Sequence, residues 1–555
     1  MSVINLKSNF ELNMSHALTM YRQSELSPVN RSVVPDWEKK YAEDYRKHVR
    51  KTSIDSSEPH AFVVFGASGD LAKKKIMPTL WHLYSEQLLP YKISIFGYAR
   101  SNLDIVSWRK GFEKYCSIKS GSEKKFDEFC NNLKYISGSY DKEDGYKRLN
   151  DAIEELGIFH NQGVNRLYYL ALPPTVYTEV TQQIHDNCMG DHTKCWTRII
   201  IEKPFGHDTD SSTALSDHLS KLFREEEIFR IDHYLGKEMV QNLMVLRFGN
   251  RIFNPTWNKD HISSVTITFK ENFGTEGRGG YFEKSGIIRD VMQNHLIQIL
   301  SLVAMEKPKS LAADDIRDEK VNVLKAIRPI SFKDYVIGQY VGDPNATNVE
   351  FRLGYKDDEG VNPNSITPTF CTCVLYIDND RWRGVPFFLR CGKALNEKKA
   401  EVRVQYKEVP DIKKDIFDFG DLKRNELVMR VQPNEAVYVK MNTKRPNLEF
   451  EVEETELDLT YSSRYKGVRL PDAYERLILE VFLGSQLNFV RTDELDLAWK
   501  IFTPFLKHLE ENNVVPEEYV FGCRGPKSAD QLMHDHGFVY TGTYKWKPEE
   551  LSNKL

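Results

Sequence analysis

Apolar runs alternate with turn residues and helical segments along the first half of the chain. Residues 61–65 and 93–97 are short apolar runs that predict buried parallel strands. Two more such runs, 166–172 and 197–201, follow after segments with helical spacing. A βαβ series of this kind predicts an α/β domain with a doubly wound parallel sheet, which we place at residues 59–230.

The pattern changes in the second half to strands with alternating β-branched residues. Residues 265–269 form one such strand, and basic strands follow at 387–393, 398–404 and 428–432. Runs of strands predict a large, mostly antiparallel sheet with helices, so we expect an α+β domain over residues 231–555.

Composition limits the class of protein further. The chain has 555 residues, 41% hydrophobic and 28% charged, as is typical of a globular protein with two or three domains. Its formal net charge of −4 argues against bulk nucleic-acid binding, and no apolar run reaches the length of a membrane span. The eight cysteines are too sparse for a disulfide framework, which favours a reducing, cytoplasmic compartment. Residues 1–58 lack a secretory signal, and we expect them to form a weakly ordered extension.

A glycine turn follows the first predicted strand. Residues 66–73 read Gly-Ala-Ser-Gly-Asp-Leu-Ala-Lys, and apolar residues at helical spacing follow. Glycines let the backbone close on a pyrophosphate at a helix N-terminus, so this order predicts a Rossmann-like dinucleotide site. The glycines stand three apart, which departs from the common pattern. Arg100 follows the second strand and suits the 2′-phosphate of NADP better than the ribose of NAD.

Two further segments carry candidate chemistry in this half. Lys203 follows the strand at 197–201, where open α/β sheets bind ligands, and Pro204 favours an extended conformation for it. The spacing of His185, Cys188, His192 and Cys195 superficially suits a zinc site. A Gly-Asp pair interrupts these residues, however, so a surface loop is favoured.

Residues 230–238 read Arg-Ile-Asp-His-Tyr-Leu-Gly-Lys-Glu and lie where a predicted strand gives way to a helix. A helix start offers free N–H groups, and His233, Tyr234 and Lys237 add donors. The segment therefore predicts a phosphate or carboxylate pocket, with Asp232 left for another role. The alternative is an ordinary solvated loop.

His295 lies on a predicted buried helix that also carries Asp290. The two residues are five apart, about 140° around an α-helix, so we expect that they do not pair. His295 then needs an orienting carboxylate from elsewhere, and Asp232 is the best candidate.

The basic strands favour either a second anion site or a solvated sheet face. Lys399, Glu401 and Arg403 share one face of their strand. The same alternation places Arg430 and Gln432 on one face.

These motifs (residues 66–72, 202–206, 230–238 and 290–295) closely resemble those of the eukaryotic, NADP-dependent glucose-6-phosphate dehydrogenase family. The resemblance extends from about residue 59 to the end. It implies oxidation of D-glucose 6-phosphate at C1 to 6-phospho-D-glucono-1,5-lactone with hydride transfer to NADP+, the first step of the oxidative pentose phosphate pathway.

The resemblance also implies site residues. His295 would be the general base, Asp232 its orienting partner and Lys203 a further catalytic residue, with no metal. The residues implied for the catalytic NADP are Gly66, Ala67, Ser68, Gly69, Asp70, Leu71, Ala72, Lys73, Arg100, Tyr177 and Lys203. Those implied for the substrate are Lys203, His233, Tyr234, Leu235, Gly236, Lys237, Glu271, Asp290, Lys393, Lys398 and Gln432. Those implied for a second, structural NADP are Arg390, Lys399, Arg403, Arg430, Tyr438, Lys440, Asp458, Leu459, Thr460, Arg524, Tyr540 and Trp546.

One position departs from the family pattern, since Lys398 stands where animal members usually have an arginine, and a lysine loses bidentate geometry. The resemblance further implies a cytosolic homodimer or homotetramer. Two other functions stay open: a catalytically silent NADP-binding sensor, and a sugar dehydrogenase of the glucose–fructose oxidoreductase type. His295, Asp232 and Lys203 argue against the first, and the cations of residues 233–237 argue against the second.

Overall fold

Six parallel strands form the first sheet of the computed structural model, which describes residues 58–409, 422–465, 469–540 and 542. The strand order is β3-β2-β1-β4-β5-β6, as in doubly wound dinucleotide-binding sheets, which confirms the fold predicted for the first half. The strands are β1 (His60–Phe65), β2 (Ile93–Ala99), β3 (Leu133–Ser137), β4 (Asn165–Leu170), β5 (Thr197–Glu202) and β6 (Ile228–Ile231). Apart from Glu58, the predicted extension over residues 1–58 lies outside the described residues.

Nine strands form the second sheet, in the order β14-β13-β12-β11-β7-β10-β9-β8-β15. Two neighbouring pairs, β7 with β10 and β8 with β15, are parallel and the others are antiparallel, which confirms the predicted mostly antiparallel sheet. The strands are β7 (Ile262–Lys270), β8 (Tyr335–Val341), β9 (Phe370–Tyr376), β10 (Pro386–Gly392), β11 (Lys399–Tyr406), β12 (Glu426–Gln432), β13 (Ala436–Lys444), β14 (Val452–Thr460) and β15 (Glu517–Val520).

Helices cover both faces of the first sheet, which is why strands such as β1 and β4 are buried throughout. The α-helices are α1 (Met77–Ser85), α2 (Ile105–Glu113), α3 (Glu123–Asn131), α4 (Glu143–His160), α5 (Tyr177–Cys188), α6 (Thr209–Leu222), α7 (Glu238–Phe248), α8 (Gly279–Phe282), α9 (Ile297–Ala304), α10 (Ala313–Ala326), α11 (Tyr461–Arg464), α12 (Ala473–Leu483), α13 (Thr492–Glu511) and α14 (Lys527–Asp535). Two π-helices span Ala72–Ile76 and Ile288–Leu296, and short 3₁₀ turns span Pro174–Val176, Glu225–Glu227, Asn254–Thr256, Val349–Arg352 and Tyr355–Asp357.

Helices from the end of the chain return to the first sheet and support the end of β5. The Trp499 indole on α13 donates to the carbonyl oxygen of Phe205 (3.0 Å), two residues beyond Lys203. Arg198 on β5 donates to the carbonyl oxygens of Val481 and Phe482 at the end of α12. Residues far away in sequence therefore hold both the amino end of β5, through Arg198, and the segment after Lys203, through Trp499.

Residues 288–296 form a π-helix and not the α-helix on which the sequence prediction relied. Hydrogen bonds in a π-helix join residues i and i+5, so Asp290 and His295 stand on successive turns of the same face. The predicted separation of about 140° is therefore wrong. Each side chain nevertheless has its own partner, Lys203 for Asp290 and Asp232 for His295.

A β-bulge separates Arg430 from Gln432. Ala400 on β11 lies opposite Gln432 and Glu401 lies opposite Arg430, so Val431 is the extra residue. Ala400 and Glu401 point to opposite faces of the sheet, and so must the residues opposite them. The prediction that strand alternation puts Arg430 and Gln432 on one face is therefore wrong.

Candidate active site

The loop between β6 and α7 holds the polar cluster of residues 232–237 in tight turns. The backbone N–H of Leu235 donates to the carbonyl oxygen of Asp232, and the N–H of Tyr234 donates to its Oδ1 (both 3.0 Å). Gly236 has no room for a side chain, since a Cβ there would lie 2.7 Å from the carbonyl oxygen of Ala473. The loop thus brings the start of α7, with its free N–H groups, to the carboxyl edge of the first sheet.

Asp232 and His295 form a buried pair at this edge. His295 Nδ1 lies 2.5 Å from Asp232 Oδ1, and both side chains are about 2% exposed. Burial lowers the pKa of His295, although Asp232 opposes this effect. Burial alone would raise the pKa of Asp232, but the imidazoles of His295 and His233 lower it to about 2. At neutral pH the pair is an aspartate and a neutral imidazole, with Nδ1–H donating to the carboxylate and Nε2 left as a base.

Lys203 reaches from the end of β5 to the π-helix. Its Nζ donates to the backbone oxygen of Asp290 at 2.6 Å and to its Oδ1 at 3.1 Å. Burial opposes the charge on Lys203, but Asp290 raises the pKa of the ammonium above its ordinary value. Burial likewise opposes ionisation of Asp290, but Lys203 and Lys393 lower the pKa of this carboxyl to about 2. A fixed cation and a fixed anion therefore lie beside the buried pair.

The second sheet supplies the facing wall. Glu271 and Lys393 directly follow β7 and β10, and because these neighbouring strands are parallel, their ends meet at one edge. Lys393 Nζ donates to Glu271 Oε2 at 2.5 Å. Gln432, on the site face of the bulge, donates from Nε2 to the Tyr234 hydroxyl at 2.8 Å.

Lys237 lies at the end of the loop, among both acidic and basic side chains. Its Nζ is 5.0 Å from the centre of the Tyr234 ring. Burial lowers the pKa of Lys237; the charges of Asp472 and Glu435 oppose this, and those of Lys398 and Lys75 add to it. Lys398 itself is exposed. An anion bound here would relieve the repulsion among these cations.

His233 packs between the buried pair and Tyr474, a residue that the sequence reasoning missed. Its ring lies edge-on to His295 (4.7 Å between centroids) and stacks on Tyr474 (5.9 Å, 7° between planes). The Tyr474 hydroxyl in turn hydrogen-bonds with Glu202, which also accepts from the Tyr169 hydroxyl at 2.5 Å. No local pattern marks Tyr474, because its partners come from the other end of the chain.

The glycine turn after β1 fits a dinucleotide pyrophosphate. Gly66 has φ +79°, and a Cβ there would lie 2.2 Å from the carbonyl oxygen of Ala171, so only glycine keeps this turn. The carbonyl of Ala67 accepts from the Trp108 indole (3.0 Å), and Ser68 contacts Ser101 (3.1 Å between the hydroxyl oxygens). The backbone is therefore fixed in a form that a phosphate can approach closely.

The other residues predicted for this cofactor lie around the turn. Gly69, Asp70, Leu71, Ala72 and Lys73 form the end of the turn and the start of the helix that leads into α1.

Arg100 directly follows β2 and is exposed, with its guanidinium 5.3 Å from the centre of the Tyr140 ring. Tyr177 is fully buried, and its hydroxyl donates to the backbone oxygen of Glu202 (2.8 Å). In this structure Tyr177 thus supports the strand end before Lys203.

A second cavity, of about 550 Å³, lies between the polar face of the nine-stranded sheet and α14. Five of the residues predicted for a second nucleotide line it: Arg390, Lys399, Arg403, Arg524 and Tyr540. Its lining includes six cations (Lys270, Arg390, Lys399, Arg403, Arg524 and Lys527) and two acids (Glu401 and Asp530). Glu397 and Glu426 pair with three of these cations, so a smaller excess of positive charge remains. Sequence reasoning missed the α14 side of this cavity, including Lys527 and Asp530.

The remaining residues predicted for the second nucleotide lie elsewhere. Arg430, Tyr438 and Lys440 are on the same face of the sheet but do not line the cavity. Lys440 pairs with Glu454 (2.7 Å). On the edge strand β14, Asp458 and Leu459 are exposed and Thr460 is buried; Trp546 lies outside the described residues.

The possible zinc motif is not assembled in the structure. Cys188 donates to the carbonyl oxygen of Tyr146 and Cys195 to that of Asp191 (both 3.4 Å), while His192 lies 3.6 Å from Glu227. Within the described ranges, the grouping of potential metal ligands is Asp232, His233 and His295, which belong to the buried pair and its neighbour.

Comparison with known proteins gives matches along most of the chain. Residues 63–242 match the model of the glucose-6-phosphate dehydrogenase NAD binding domain, and residues 244–547 match that of the glucose-6-phosphate dehydrogenase C-terminal domain. Glucose-6-phosphate 1-dehydrogenase of Caenorhabditis elegans is 61% identical over 494 residues, which are 89% of this chain and 94% of that protein. The Drosophila melanogaster enzyme of the same name is 58% identical over 497 residues, 89% and 93% of the two chains.

Solved structures match as well. A glucose-6-phosphate dehydrogenase in complex with its substrate glucose-6-phosphate superposes with a TM-score of 0.82 at 46% identity, covering 87% of this chain and 99% of that one. Glucose-6-phosphate 1-dehydrogenase from Mycobacterium avium gives a TM-score of 0.74 at 30% identity, covering 88% and 100%.

Glu202 makes the stability of the fold depend on pH. Burial raises the pKa of Glu202 from 4.5 to about 7, although Tyr169 and Lys203 oppose this. The folded protein therefore binds this proton more tightly than the unfolded chain, and stability is lost as the pH rises from about 4.5 to 7. The full loss is about 3 kcal/mol. The side chain of Glu202→Gln stays neutral. We therefore expect its free energy of unfolding to rise relative to that of the unsubstituted protein as the pH increases through this interval, and the difference to persist above pH 7.

Urea denaturation at a series of pH values measures this difference. The matched control is Glu179→Gln, an exposed glutamate, whose stability difference should stay flat with pH. Parallel curves for Glu202→Gln and the unsubstituted protein would contradict the prediction.

Proposed function

Because this chain belongs to the glucose-6-phosphate dehydrogenase family, we propose that the cluster around Asp232 and His295 oxidises D-glucose 6-phosphate at C1. The enzyme is an oxidoreductase, and the proposed product is 6-phospho-D-glucono-1,5-lactone. The observation that carries the proposal is the buried carboxylate–imidazole pair beside a cationic loop, at the carboxyl edge of a dinucleotide-binding sheet.

His295 acts as the general base. Its Nε2 accepts the proton of the C1 hydroxyl as the C1–H bond breaks with its electron pair, and the C1–O1 bond becomes the lactone carbonyl. Asp232 accepts from Nδ1–H throughout, which fixes the tautomer and stabilises the imidazolium that forms. NADP+, when bound at the Gly66 turn, supplies the acceptor for the hydride.

The charged pairs around the dyad position the sugar. Lys203, Asp290 and Glu271 offer fixed donors and acceptors to the sugar hydroxyls, with Gln432 nearby. Holding C1 against the base in this way removes most of the entropic cost of the reaction.

The loop after β6 and the neighbouring lysines bind the phosphate. The residues assigned to it are His233, Tyr234, Leu235, Gly236, Lys237, Lys393 and Lys398. The charges of Lys398 and Lys75 near Lys237 favour a dianionic group there, so a phosphorylated sugar is preferred over a free one.

The cofactor is NADP in preference to NAD. An acid at the end of the second strand would bind the ribose 2′-hydroxyl of NAD, whereas this position holds the exposed Arg100. A guanidinium there binds a 2′-phosphate through charge-assisted hydrogen bonds.

The cavity over the polar sheet face holds a second, structural NADP. Its six cations against two acids favour a phosphorylated ligand, and its volume of about 550 Å³ suits a large part of a dinucleotide. Tyr540 lies 4.2 Å from the Arg524 guanidinium and offers a ring for stacking.

The active form is a homo-oligomer in the cytosol. Leu457 and Leu459 are exposed on β14, the edge strand of the nine-stranded sheet, and Phe450 is exposed just before it. Among the described residues β14 pairs only with β13, and exposed leucines on such a strand are a surface that a second copy of the chain would cover. All eight cysteines are free thiols, as expected in a reducing compartment.

Replacement of the base tests the proposed function. We expect His295→Asn to lower kcat about 1000-fold, because general-base catalysis is lost. Binding of glucose 6-phosphate should stay nearly intact, since the phosphate contacts are unchanged. NADPH absorbance with glucose 6-phosphate measures turnover, and free glucose should give far less.

The control for this experiment is His185→Asn, an exposed histidine, which should turn over like the unsubstituted enzyme. Turnover of His295→Asn close to that of the unsubstituted enzyme would show that the base is another group.

Cofactor choice is tested at Arg100. Loss of a charged hydrogen bond in Arg100→Ala should raise KM for NADP about 10-fold or more and leave KM for NAD nearly unchanged. The exposed Arg383→Ala is the control and should change neither constant. Equal use of NAD and NADP by the unsubstituted enzyme would rule out the preference.

The second nucleotide site is tested by stability. NADP in excess should raise the thermal midpoint of the enzyme, because a ligand that binds only the folded state stabilises it. In Arg524→Ala the stabilisation of the folded enzyme by NADP should be smaller by about 1–2 kcal/mol, while KM for NADP stays unchanged. Lys309→Ala, at an exposed lysine, is the control. Full stabilisation of Arg524→Ala would contradict the assignment.

A further inference from the structure

Asp232 has one carboxylate oxygen that the buried pair does not use. Its Oδ1 lies next to His295 Nδ1 and accepts from the Tyr234 N–H. Its Oδ2 is buried and has no hydrogen-bond partner among the described residues. Burying an ionised oxygen without a donor is costly, so this atom requires a partner.

Gln298 presents a second orphaned oxygen at the same place. It lies on α9, three residues after His295, and its side chain is 3% exposed. Its Oε1 is also buried without a partner in the described part of the chain. Both Asp232 and Gln298 line one small cavity of about 20 Å³, which Lys203 lines as well.

The size and chemistry of this cavity select its ligand. A volume of about 20 Å³ exceeds what one water molecule needs and excludes anything much larger. Two acceptors require a ligand with two donors, and water has two O–H groups. The oxygen of that water can in turn accept from Lys203, whose Nζ uses only two of its three N–H groups on Asp290.

We propose that one buried water molecule binds in this cavity, donates to Asp232 Oδ2 and Gln298 Oε1, and makes Gln298 a positioning residue for the reaction. The catalytic part of this inference rests on the proposed role of His295 as the base. Gln298 does not touch the substrate; it holds the water, which holds the carboxylate in the rotamer that faces His295.

The water also sets the acidity of the pair. Uptake of a proton by His295 changes the pair from an anion to a neutral species, and hydrogen bonds donated to Asp232 favour the anion. Losing the water should therefore move proton uptake to higher pH. Among the described residues, the other titratable groups that face the pair are His233, Tyr234, Lys203, Glu202, Tyr474 and Asp290, and substitution of Gln298 leaves all of them in place.

Gln298→Met keeps the length of the side chain and removes the acceptor. We expect the acid limb of the pH profile of kcat to move up by about 1 pH unit. KM for glucose 6-phosphate should change less than twofold. The matched control is Ser301→Ala, which removes a buried hydroxyl that donates to the Gln298 carbonyl oxygen (2.7 Å) on the same helix. The acid limb of the pH profile of Ser301→Ala should stay in place. If the acid limb of Gln298→Met also stays in place, Gln298 is not a positioning residue.

A crystal structure of the unsubstituted protein at high resolution tests the water directly. Density for one water within about 3.2 Å of both Asp232 Oδ2 and Gln298 Oε1 is expected. An empty cavity, or a protein donor on Asp232 Oδ2, would overturn the proposal. This result does not depend on activity, so it is distinguishable from a failure of the base assignment, which His295→Asn decides.

Discussion

The contact between Asp232 and His295 is the interaction on which the rest of the site depends. An ionised carboxylate tolerates an almost fully buried position only when donors surround it. Asp232 directly follows β6 of the six-stranded sheet, whereas His295 belongs to a π-helix that packs against β7 and β10 of the nine-stranded sheet. This hydrogen bond therefore joins the first sheet to the opposite wall of the cleft, beside those of Lys203 with Asp290 and of Gln432 with Tyr234.

The π-helix makes this arrangement possible. Because residues five apart stand on one face of it, His295 can meet Asp232 while Asp290 meets Lys203 on the neighbouring strand of the same sheet. A regular α-helix would turn one of these two side chains away from the cleft. Both contacts lie at the carboxyl edge of the first sheet, so the local change of helix type brings His295 and Asp290 to the same sheet edge.

Local patterns in the sequence were sufficient to predict most of the strands, the glycine turn and the polar loop, because each is encoded by neighbouring residues. The features that could not be predicted depend on partners far away in the chain. The bulge at Val431 exists only in the pairing of β11 with β12, and nothing within 428–432 marks it. Likewise, Tyr474 acquires its contacts with Glu202 and His233 only when α12 folds back onto the first sheet. The π-helix could not be predicted from its sequence either, because its apolar residues also have the spacing of an α-helix.

The distribution of ion pairs bears on how the proposed cleft would hold a sugar and select for its phosphate. Lys203 is neutralised by Asp290, so this part of the cleft offers fixed dipoles suited to neutral hydroxyl groups. Neither Lys237 nor Lys398 forms an ion pair of this kind within the described residues, and Lys75 adds a further positive charge against the charges of Asp472 and Glu435. Cations without a directly bonded acid gain most from a dianion and little from a hydroxyl. In the proposed mechanism, selectivity for phosphorylated sugar therefore resides at Lys237, at one end of a loop whose other end, Asp232, orients the base, so that binding of the phosphate and orientation of the base belong to one segment.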